Sequence, residues 1–173
     1  MMRTLIGVVG SSNASEVVMT AAYEVGKEVM NSGYSLVCGG LGGVMEAACR
    51  GAFDAAGPRS GRIIGILPGT QKTDANPYVD IVIPTGFGYA RNFIISCCAD
   101  ALVAVSGASG TLSEIAMAWQ FKKPIIALEN IPGISAQLIR KSLDADRPGT
   151  DERKILGAPD AREALAIIKN MLG

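Results

Sequence analysis

The 173-residue chain contains no histidine, and only 5% of its residues are aromatic. Nucleophilic catalysis by a Ser-His-Asp or Cys-His arrangement depends on an imidazole base, so neither mechanism is open to this chain. The four cysteines include no C-x-x-C pair and have no histidine to complete a common zinc set. We therefore expect no metal site, and we interpret the cysteines as small buried hydrophobic residues: Cys38, Cys49, Cys97 and Cys98.

Charge is also scarce. Only 18% of the residues are charged, and the 16 basic residues balance the 16 acidic ones to a net charge of zero. Nucleic-acid binding needs clustered lysine and arginine or aromatic stacking platforms, so we expect no nucleic-acid partner. A surface this poor in charge predicts that a second subunit covers part of it, in a homo-oligomer built from one dimer or several dimers.

Long apolar runs are missing too. No segment approaches the length that crosses a membrane, and the first residues, 1–5, lack the apolar stretch and cleavage site of a signal peptide. These absences predict a cytoplasmic protein with no membrane partner. The chain also shows no linker, low-complexity segment or shift of composition, so we expect a single domain over residues 1–173.

What the chain does contain is a regular alternation of short apolar runs and amphipathic segments. Such apolar runs are typical of parallel strands that are buried on both faces. We predict strands over residues 5–10, 34–38, 62–67, 81–83, 101–105, 124–128 and 155–156. We predict helices over residues 16–30, 44–56, 87–98, 111–121, 134–143 and 161–172, with a mobile loop over 144–151. The alternation indicates an α/β fold, a doubly wound, Rossmann-like parallel sheet with helices on both faces.

Two glycine-rich segments, residues 39–46 and 106–114, each join a predicted strand to a predicted helix. A helix that begins on small residues offers free backbone N–H groups and the positive end of its dipole to an anion. The aligned positions are Gly39 with Gly107, Gly42 with Gly110, and Glu46 with Glu114. In a doubly wound sheet these turns share one edge with the loops 10–13 and 68–73, so we predict a single crevice there.

The two glutamates each have a structural interpretation as well as a functional one. Residues 111–114 fit a capping box, in which Thr111 caps the helix and Glu114 reaches back to the cap N–H. The same carboxylate would also face a ligand at the turn, and the sequence favours neither interpretation. For Glu46, we favour an ordinary first-turn acid that complements the helix dipole over a residue of the crevice.

Arg91 is a cation inside an apolar and aromatic stretch, residues 87–95. Charged side chains are seldom buried without a partner. Arg91 lies either on a solvated or ion-paired helix face, or it clamps a phosphate or a carboxylate such as Glu114, and we favour the clamp. Asp100 precedes a predicted strand at the opposite edge of the sheet, so we interpret it as a turn or cap residue.

The candidate ligand-binding residues lie on the predicted turns or beside Arg91. They are Gly10, Ser11, Ser12, Gly39, Gly40, Gly42, Gly43, Met45, Glu46, Asn92, Gly107, Ala108, Ser109, Gly110 and Thr111. Residues 7–12 match only half of a dinucleotide fingerprint, and the chain has no P-loop motif. The turns therefore predict a small phosphate-bearing ligand, and no motif specifies it further.

These segments, with Arg91 between them, resemble the LONELY GUY (LOG) superfamily over about residues 5–128. Its signature is P-G-G-x-G-T-x-x-E with an upstream R-K pair. The resemblance implies a Rossmann-like fold, usually dimeric, that hydrolyses the N-glycosidic bond of nucleoside 5′-monophosphates without a cofactor. It also implies that Glu114 and Arg91 are the catalytic residues, and that Gly107, Gly110 and Thr111 hold the phosphate.

The departures from that signature are similar to the molybdenum-cofactor carrier branch, whose members bind and protect a pterin-linked phosphate. Ser106-Gly107-Ala108 replaces P-G-G and Asn92 replaces the lysine, while residues 76–78, 85–86 and 90–93 are closer to the carrier branch. Two functions therefore remain open, a carrier of a molybdopterin-type cofactor or nucleotide and a phosphoribohydrolase, with a purely structural role the weakest alternative. The lysine decarboxylase label once given to the superfamily is rejected, because Lys72 is the only lysine on the crevice loops and that chemistry needs a Schiff-base lysine.

Overall fold

The computed structural model describes residues 3–56, 61–145 and 153–173. Its centre is a parallel sheet of seven strands in the order β4-β3-β2-β1-β5-β6-β7. The strands are β1 (Leu5–Gly10), β2 (Ser35–Cys38), β3 (Ile63–Leu67), β4 (Ile81–Pro84), β5 (Ala101–Val105), β6 (Ile125–Leu128) and β7 (Leu156–Ala158). Every neighbouring pair is parallel, which confirms the predicted doubly wound α/β fold.

Within the described residues, six α-helices cover the two faces of the sheet. They are α1 (Glu16–Asn31), α2 (Val44–Ala56), α3 (Arg91–Cys98), α4 (Ser109–Gln120), α5 (Ile134–Gln137) and α6 (Ala161–Leu172). Helices α1, α2 and α6 bury their apolar residues in one core cluster, and α3 and α4 bury theirs in a second cluster on the other face. None of the helices in the described ranges combines the length and apolar character that a membrane crossing requires.

The strand order reverses direction at β1, which pairs with β2 on one side and with β5 on the other. The register between β1 and β5 runs from Ile6 beside Ala101 to Gly10 beside Val105, so both strands end at the same level. The chain leaves these two ends toward opposite faces of the sheet. Such a switch point opens a crevice at the carboxyl ends of the strands, where ligands of doubly wound proteins bind.

Some helix boundaries differ from the sequence prediction for reasons that the backbone shows. Helix α5 ends at Gln137 rather than 143, because Arg140 adopts a left-handed conformation (φ +65°) and its amide donates to the Ile155 carbonyl at 2.8 Å. Residues 87–98 are split, with a 3-10 turn over Gly88–Ala90 before α3. The predicted loop 144–151 lies outside the described residues from position 146 onward.

The cysteines divide into two pairs with different surroundings. Cys38 and Cys49 are buried with their sulfur atoms 3.4 Å apart, as small hydrophobic residues should be. Cys97 and Cys98 are exposed at the end of α3, so the prediction that they are buried is wrong. The buried face of α3 is formed by residues 91, 92, 95 and 96, which turns the following two positions outward.

Candidate functional site

A crevice of about 500 Å³ opens at the carboxyl ends of β1 and β5. Its volume lies within the range of about 300–1,000 Å³ that small-molecule sites occupy. Eleven of the predicted site residues lie on its wall: Gly10, Ser11, Ser12, Met45, Arg91, Asn92, Ala108, Ser109, Gly110, Thr111 and Glu114. Six further wall residues were not among the predicted site residues: Val8, Val9, Leu41, Pro68, Gly88 and Tyr89.

The turn between β5 and α4 presents backbone N–H groups. The first bond of the helix runs from the Leu112 amide to the Ala108 carbonyl at 2.9 Å, so the amides of residues 109–111 precede the helical hydrogen-bond ladder. The carbonyls of Ser106 and Gly107 are held from behind by the amides of Ser135 and Ile134. The two carbonyl groups of the turn therefore already accept hydrogen bonds. The amide donors lie at the start of α4, which forms part of the crevice wall.

Helix α4 begins two residues earlier than predicted, and this excludes the capping box. Ala108 occupies the N-cap position and makes no side-chain cap hydrogen bond. Thr111 is instead buried under the turn. It lies so close to Gly107 that a Cβ on Gly107 would be 2.7 Å from the Thr111 methyl carbon. Gly107 also has a φ of +94°, which favours glycine. Glu114 is thus left without a capping role.

The turn between β2 and α2 is bonded differently. The Val44 amide, at the start of α2, donates to the Ser11 carbonyl at 3.0 Å. The side chain of Asn76 donates to the Leu41 carbonyl at 3.0 Å, and the Asn76 amide donates to the Gly40 carbonyl at 2.9 Å. Of this segment, only Leu41 and Met45 lie on the crevice wall, whereas the predicted residues Gly39, Gly40, Gly42, Gly43 and Glu46 do not.

Arg91 and Glu114 form a buried ion pair across α3 and α4. Arg91 Nη1 lies 3.3 Å from Glu114 Oε1, and the two residues are 8% and 5% exposed. The guanidinium fills the space beside Gly39, where a Cβ would come within 2.6 Å of Arg91 Cζ. Among the described residues, the buried Nε of Arg91 has no hydrogen-bond partner. The clamp interpretation of Arg91 thus agrees with the geometry, and one donor remains unsatisfied.

Burial has a direct effect on the acidity of Glu114. Removal from water raises the pKa of its carboxyl to about 7, although the charge and hydrogen bond of Arg91 act in the opposite direction. A carboxyl group with this pKa is able to hold or release a proton at neutral pH. It therefore has the acidity that general acid–base catalysis requires, on the wall of the crevice.

Asn92 and Ser96 join α3 to the first turns of α4. Asn92 Nδ2 donates to the Gly110 carbonyl at 3.3 Å and to Ser113 Oγ at 2.8 Å. Ser96 Oγ lies 3.0 Å from both the Asn92 and the Glu114 carbonyls. Asn92 therefore positions the glycine turn with its amide nitrogen. Ser96 was missed by sequence reasoning, although its place four residues after Asn92 on the same helix face was a usable signal.

The remaining predicted residues have structural surroundings. Asp100 accepts a hydrogen bond from the Leu5 amide at 2.8 Å, at the edge of the sheet opposite the crevice, which confirms its interpretation as a turn residue. Glu46 is exposed in the first turn of α2, as expected of an acid that complements the helix dipole. Tyr89 was missed at the crevice rim, where it is 88% exposed.

The fold and crevice define a class of protein, the Rossmann-like α/β proteins with a crevice at the switch point of the sheet. The sequence profile of the SLOG cluster4 family matches residues 3–155, and the chain belongs to that family. This match confirms the resemblance to the LOG superfamily. An uncharacterised protein from Archaeoglobus fulgidus is 42% identical over 124 residues, which covers 72% of this chain and 79% of the relative.

Two solved structures are similar over nearly the whole chain. The molybdenum cofactor binding protein from Rippkaea orientalis superposes with a TM-score of 0.86 at 32% identity, covering 100% of this chain and 99% of the other. The molybdenum cofactor carrier protein from Chlamydomonas reinhardtii superposes with a TM-score of 0.82 at 34% identity, covering 99% of both chains. These similarities agree with the sequence resemblance to the carrier branch of the superfamily.

Proposed function

We propose that this protein binds and carries a phosphate-bearing heterocycle in the crevice, and that its cargo is the molybdenum cofactor. The observation that carries the proposal is the buried Arg91 on the same crevice wall as the first residues of α4, whose amides precede the helical hydrogen bonds. A buried guanidinium with spare donors is a strong site for a phosphate. The two similar solved structures, described as molybdenum cofactor binding and carrier proteins, support this choice of cargo.

The crevice wall carries groups that suit both chemical parts of such a ligand. The amides of residues 109–111, with Ser11 and Ser12, would hold the phosphate at the positive end of α4. Leu41, Pro68 and Tyr89 supply apolar and aromatic surface for a planar ring. The ligand is cargo in this proposal, so no reaction is assigned to it.

The second candidate is a nucleoside 5′-monophosphate phosphoribohydrolase, favoured by the neutral-range pKa of Glu114. In that reaction water adds to C1′ of the ribose, the C1′–N bond breaks, and the base leaves with a proton. Glu114 would orient the water or stabilise the cationic sugar, and Arg91 would anchor the substrate or polarise the departing base. The replacement of the superfamily lysine by Asn92, which is engaged in positioning the turn, favours the carrier.

The experiment that tests the carrier function measures retention of the cofactor. The protein is mixed with released molybdenum cofactor and gel-filtered, and the co-eluting pterin is quantified after oxidation to its fluorescent form. We expect retention by the wild-type protein and a loss of about 10–100-fold in affinity for Ser109→Pro, which removes one amide donor at a helix position that tolerates proline. Ser109→Ala is the matched control, because it keeps the amide and removes only the hydroxyl group.

A parallel incubation with AMP separates the two candidates. Release of ribose 5-phosphate that disappears in Glu114→Gln would assign the hydrolase and overturn the carrier. If the protein neither retains the cofactor nor acts on AMP, and neither ligand raises its melting temperature, both functions are wrong.

The proposal includes a homo-oligomer in the cytoplasm, a dimer or a multiple of dimers. Large apolar side chains are exposed near the start of α3, with Phe87 65%, Tyr89 88% and Phe93 50% accessible. Covering them with a second subunit would remove this apolar surface from water. Light scattering after gel filtration tests it: we expect at least a dimer for the wild type and a smaller species for Phe93→Glu. A wild-type monomer would contradict it.

A further inference from the structure

Two charged residues lie on the crevice wall within the described part of the chain, and they neutralise each other. Arg91 carries a permanent positive charge, because an arginine side chain does not lose its proton in proteins. Glu114 lies 3.3 Å away and carries a negative charge only when its carboxyl group is ionised. The formal charge of the crevice wall is therefore zero when Glu114 is ionised and +1 when Glu114 is protonated.

An incoming anion would compete with Glu114 for the same guanidinium. Both residues are more than nine-tenths buried, so water screens neither the attraction of Arg91 for an anion nor the repulsion between two anions. Arg91 lies on the crevice wall, and its buried Nε has no partner among the described residues. An anion that took over the guanidinium would be close to the carboxylate that it displaces, and neutralising Glu114 removes the repulsion.

No other charged side chain on the neighbouring elements takes part in this balance. The helices and strands packed against α4 are α3, α5, β1, β5 and β6, and the only charged residue in them is Arg91. Their other titratable groups are the exposed thiols of Cys97 and Cys98 at the far end of α3. From outside these elements, Asp144 and Arg153 contact Trp119 near the end of α4. The buried Cys38 on β2 is near enough to interact electrostatically with Glu114 and Arg91, and its hydrogen bond with Cys49 is the main cause of its lowered pKa.

We infer that binding of an anionic ligand in the crevice is coupled to protonation of Glu114: the anion takes over the Arg91 guanidinium, and one proton from solvent neutralises the carboxylate that loses it. Lower pH therefore strengthens binding and higher pH releases the ligand. The burial that raises the pKa of Glu114 to about 7 puts this exchange in the neutral range. The inference rests on the proposed function, because it assumes that the ligand carries its negative charge to Arg91.

The test uses sulfate as the probe, because sulfate stays a dianion between pH 5.5 and 8.5 and contributes no titration of its own. Calorimetric titration in two buffers of different ionisation enthalpy gives the number of protons taken up on binding. We expect close to one proton at pH 8.5 and few at pH 5.5, with affinity falling about tenfold for each pH unit well above the Glu114 pKa. AMP is titrated next to confirm that a phosphate ester behaves in the same way.

Three variants identify the responsible group. Glu114→Gln keeps the shape and hydrogen-bonding of the side chain, and we expect it to bind sulfate with no proton uptake and no pH dependence. Glu24→Gln, an exposed carboxylate on α1, and Cys38→Ser should both behave like the wild type. Proton uptake that persists in Glu114→Gln, or vanishes in Cys38→Ser, overturns the assignment to Glu114.

The outcomes also separate this inference from the proposed function. If wild-type protein binds sulfate or AMP without proton uptake at pH 8.5, the coupling is wrong and the binding function stands. If neither anion binds at any pH and the protein does not retain the molybdenum cofactor, the proposed function itself fails. The wild-type measurement needs no variant, so a poorly folded Glu114→Gln protein would not leave the coupling untested.

Discussion

The two glycine-rich turns have the same sequence pattern but differ in how their backbone amides are bonded. At the start of α2, the Val44 amide donates to the Ser11 carbonyl, and Asn76 donates hydrogen bonds to two carbonyls of the turn. At the start of α4, the carbonyls of Ser106 and Gly107 accept backbone hydrogen bonds from residues 134–135, and the helix begins on the crevice wall. Glycine spacing therefore locates a strand-to-helix turn, whereas the neighbouring loop determines whether its donors are available.

The comparison extends to the aligned acids, and the largest expected effect comes from the partner of Glu114. Arg91→Leu leaves a buried carboxylate unpaired, so we expect the free energy of unfolding to fall by about 3–5 kcal/mol at pH 8. The loss should be smaller at pH 5.5, where Glu114 is protonated. Urea denaturation at both pH values measures it, with the exposed Arg50→Leu on α2 as the control. An equal loss at both pH values would show that lost packing, not lost charge, accounts for the effect.

A second prediction concerns the pH dependence of stability itself. Because burial raises the folded-state pKa of Glu114 from its ordinary value of 4.5 to about 7, its protonated form is the one that favours the folded state. The stability it contributes is fully present below the unfolded pKa and is lost as pH rises through the window from 4.5 to 7. We expect the wild type to lose about 3 kcal/mol relative to Glu114→Gln across that window.

The measurement is the difference between the two unfolding free energies, so the other carboxyl groups cancel. A difference that does not change with pH would mean that Glu114 is already ionised in the folded protein at pH 5. That result would also remove the support that its acidity gives to the hydrolase.

A third prediction sharpens the structural role of the turn at α2. Gly43 has a φ of +63°, and a Cβ there would come within 2.6 Å of the Ser12 carbonyl carbon and oxygen. We expect Gly43→Ala to lower the unfolding free energy by about 1–3 kcal/mol, because a non-glycine residue is strained in this conformation. Gly42→Ala is the control, since its Cβ would meet its nearest atom at 3.7 Å, an ordinary contact. Similar stabilities of the two variants would contradict this account.

The smallest effect is expected at Glu46, the counterpart of Glu114. Its exposed carboxylate interacts with the positive end of α2, so Glu46→Gln should cost about 0.3–1 kcal/mol at low salt. Ligand retention by the gel-filtration assay should stay at the wild-type level. A large loss of retention would mean that the second turn also contacts the ligand, and that the two turns act alike.

Much of the fold was predictable because short apolar runs and amphipathic segments indicate burial directly. Helices α2 and α6 have the predicted bounds, and the strand ends agree within one or two residues. The positions of Arg91, Glu114 and residues 108–111 on the crevice wall were predictable, since strand order brings the carboxyl ends together. Gly107 and five predicted residues of the turn before α2 do not lie on that wall. The start of α4 was not predictable, because Thr111 satisfies a capping pattern that tertiary packing overrides by burying it under Gly107.

The different hydrogen bonding of the two turns was also not predictable from the sequence. It depends on the Ser11 carbonyl reaching the Val44 amide and on Asn76 reaching Leu41, which are contacts between distant segments. The exposure of Cys97 and Cys98 was not predictable for a related reason. Helix α3 is short, and the polar residues Arg91, Asn92 and Ser96 occupy its buried face, which inverts the usual relation between polarity and burial.

The contact between Gly39 and Arg91 makes two distant positions of the chain depend on each other. The guanidinium occupies the volume that any side chain at position 39 would need. A library randomised at both positions and selected for folding and ligand capture should therefore return glycine at 39 wherever arginine stands at 91, and larger residues at 39 only with a truncated residue at 91. The absent side chain at position 39 is thus as much a part of the proposed anion site as the arginine that fills its place.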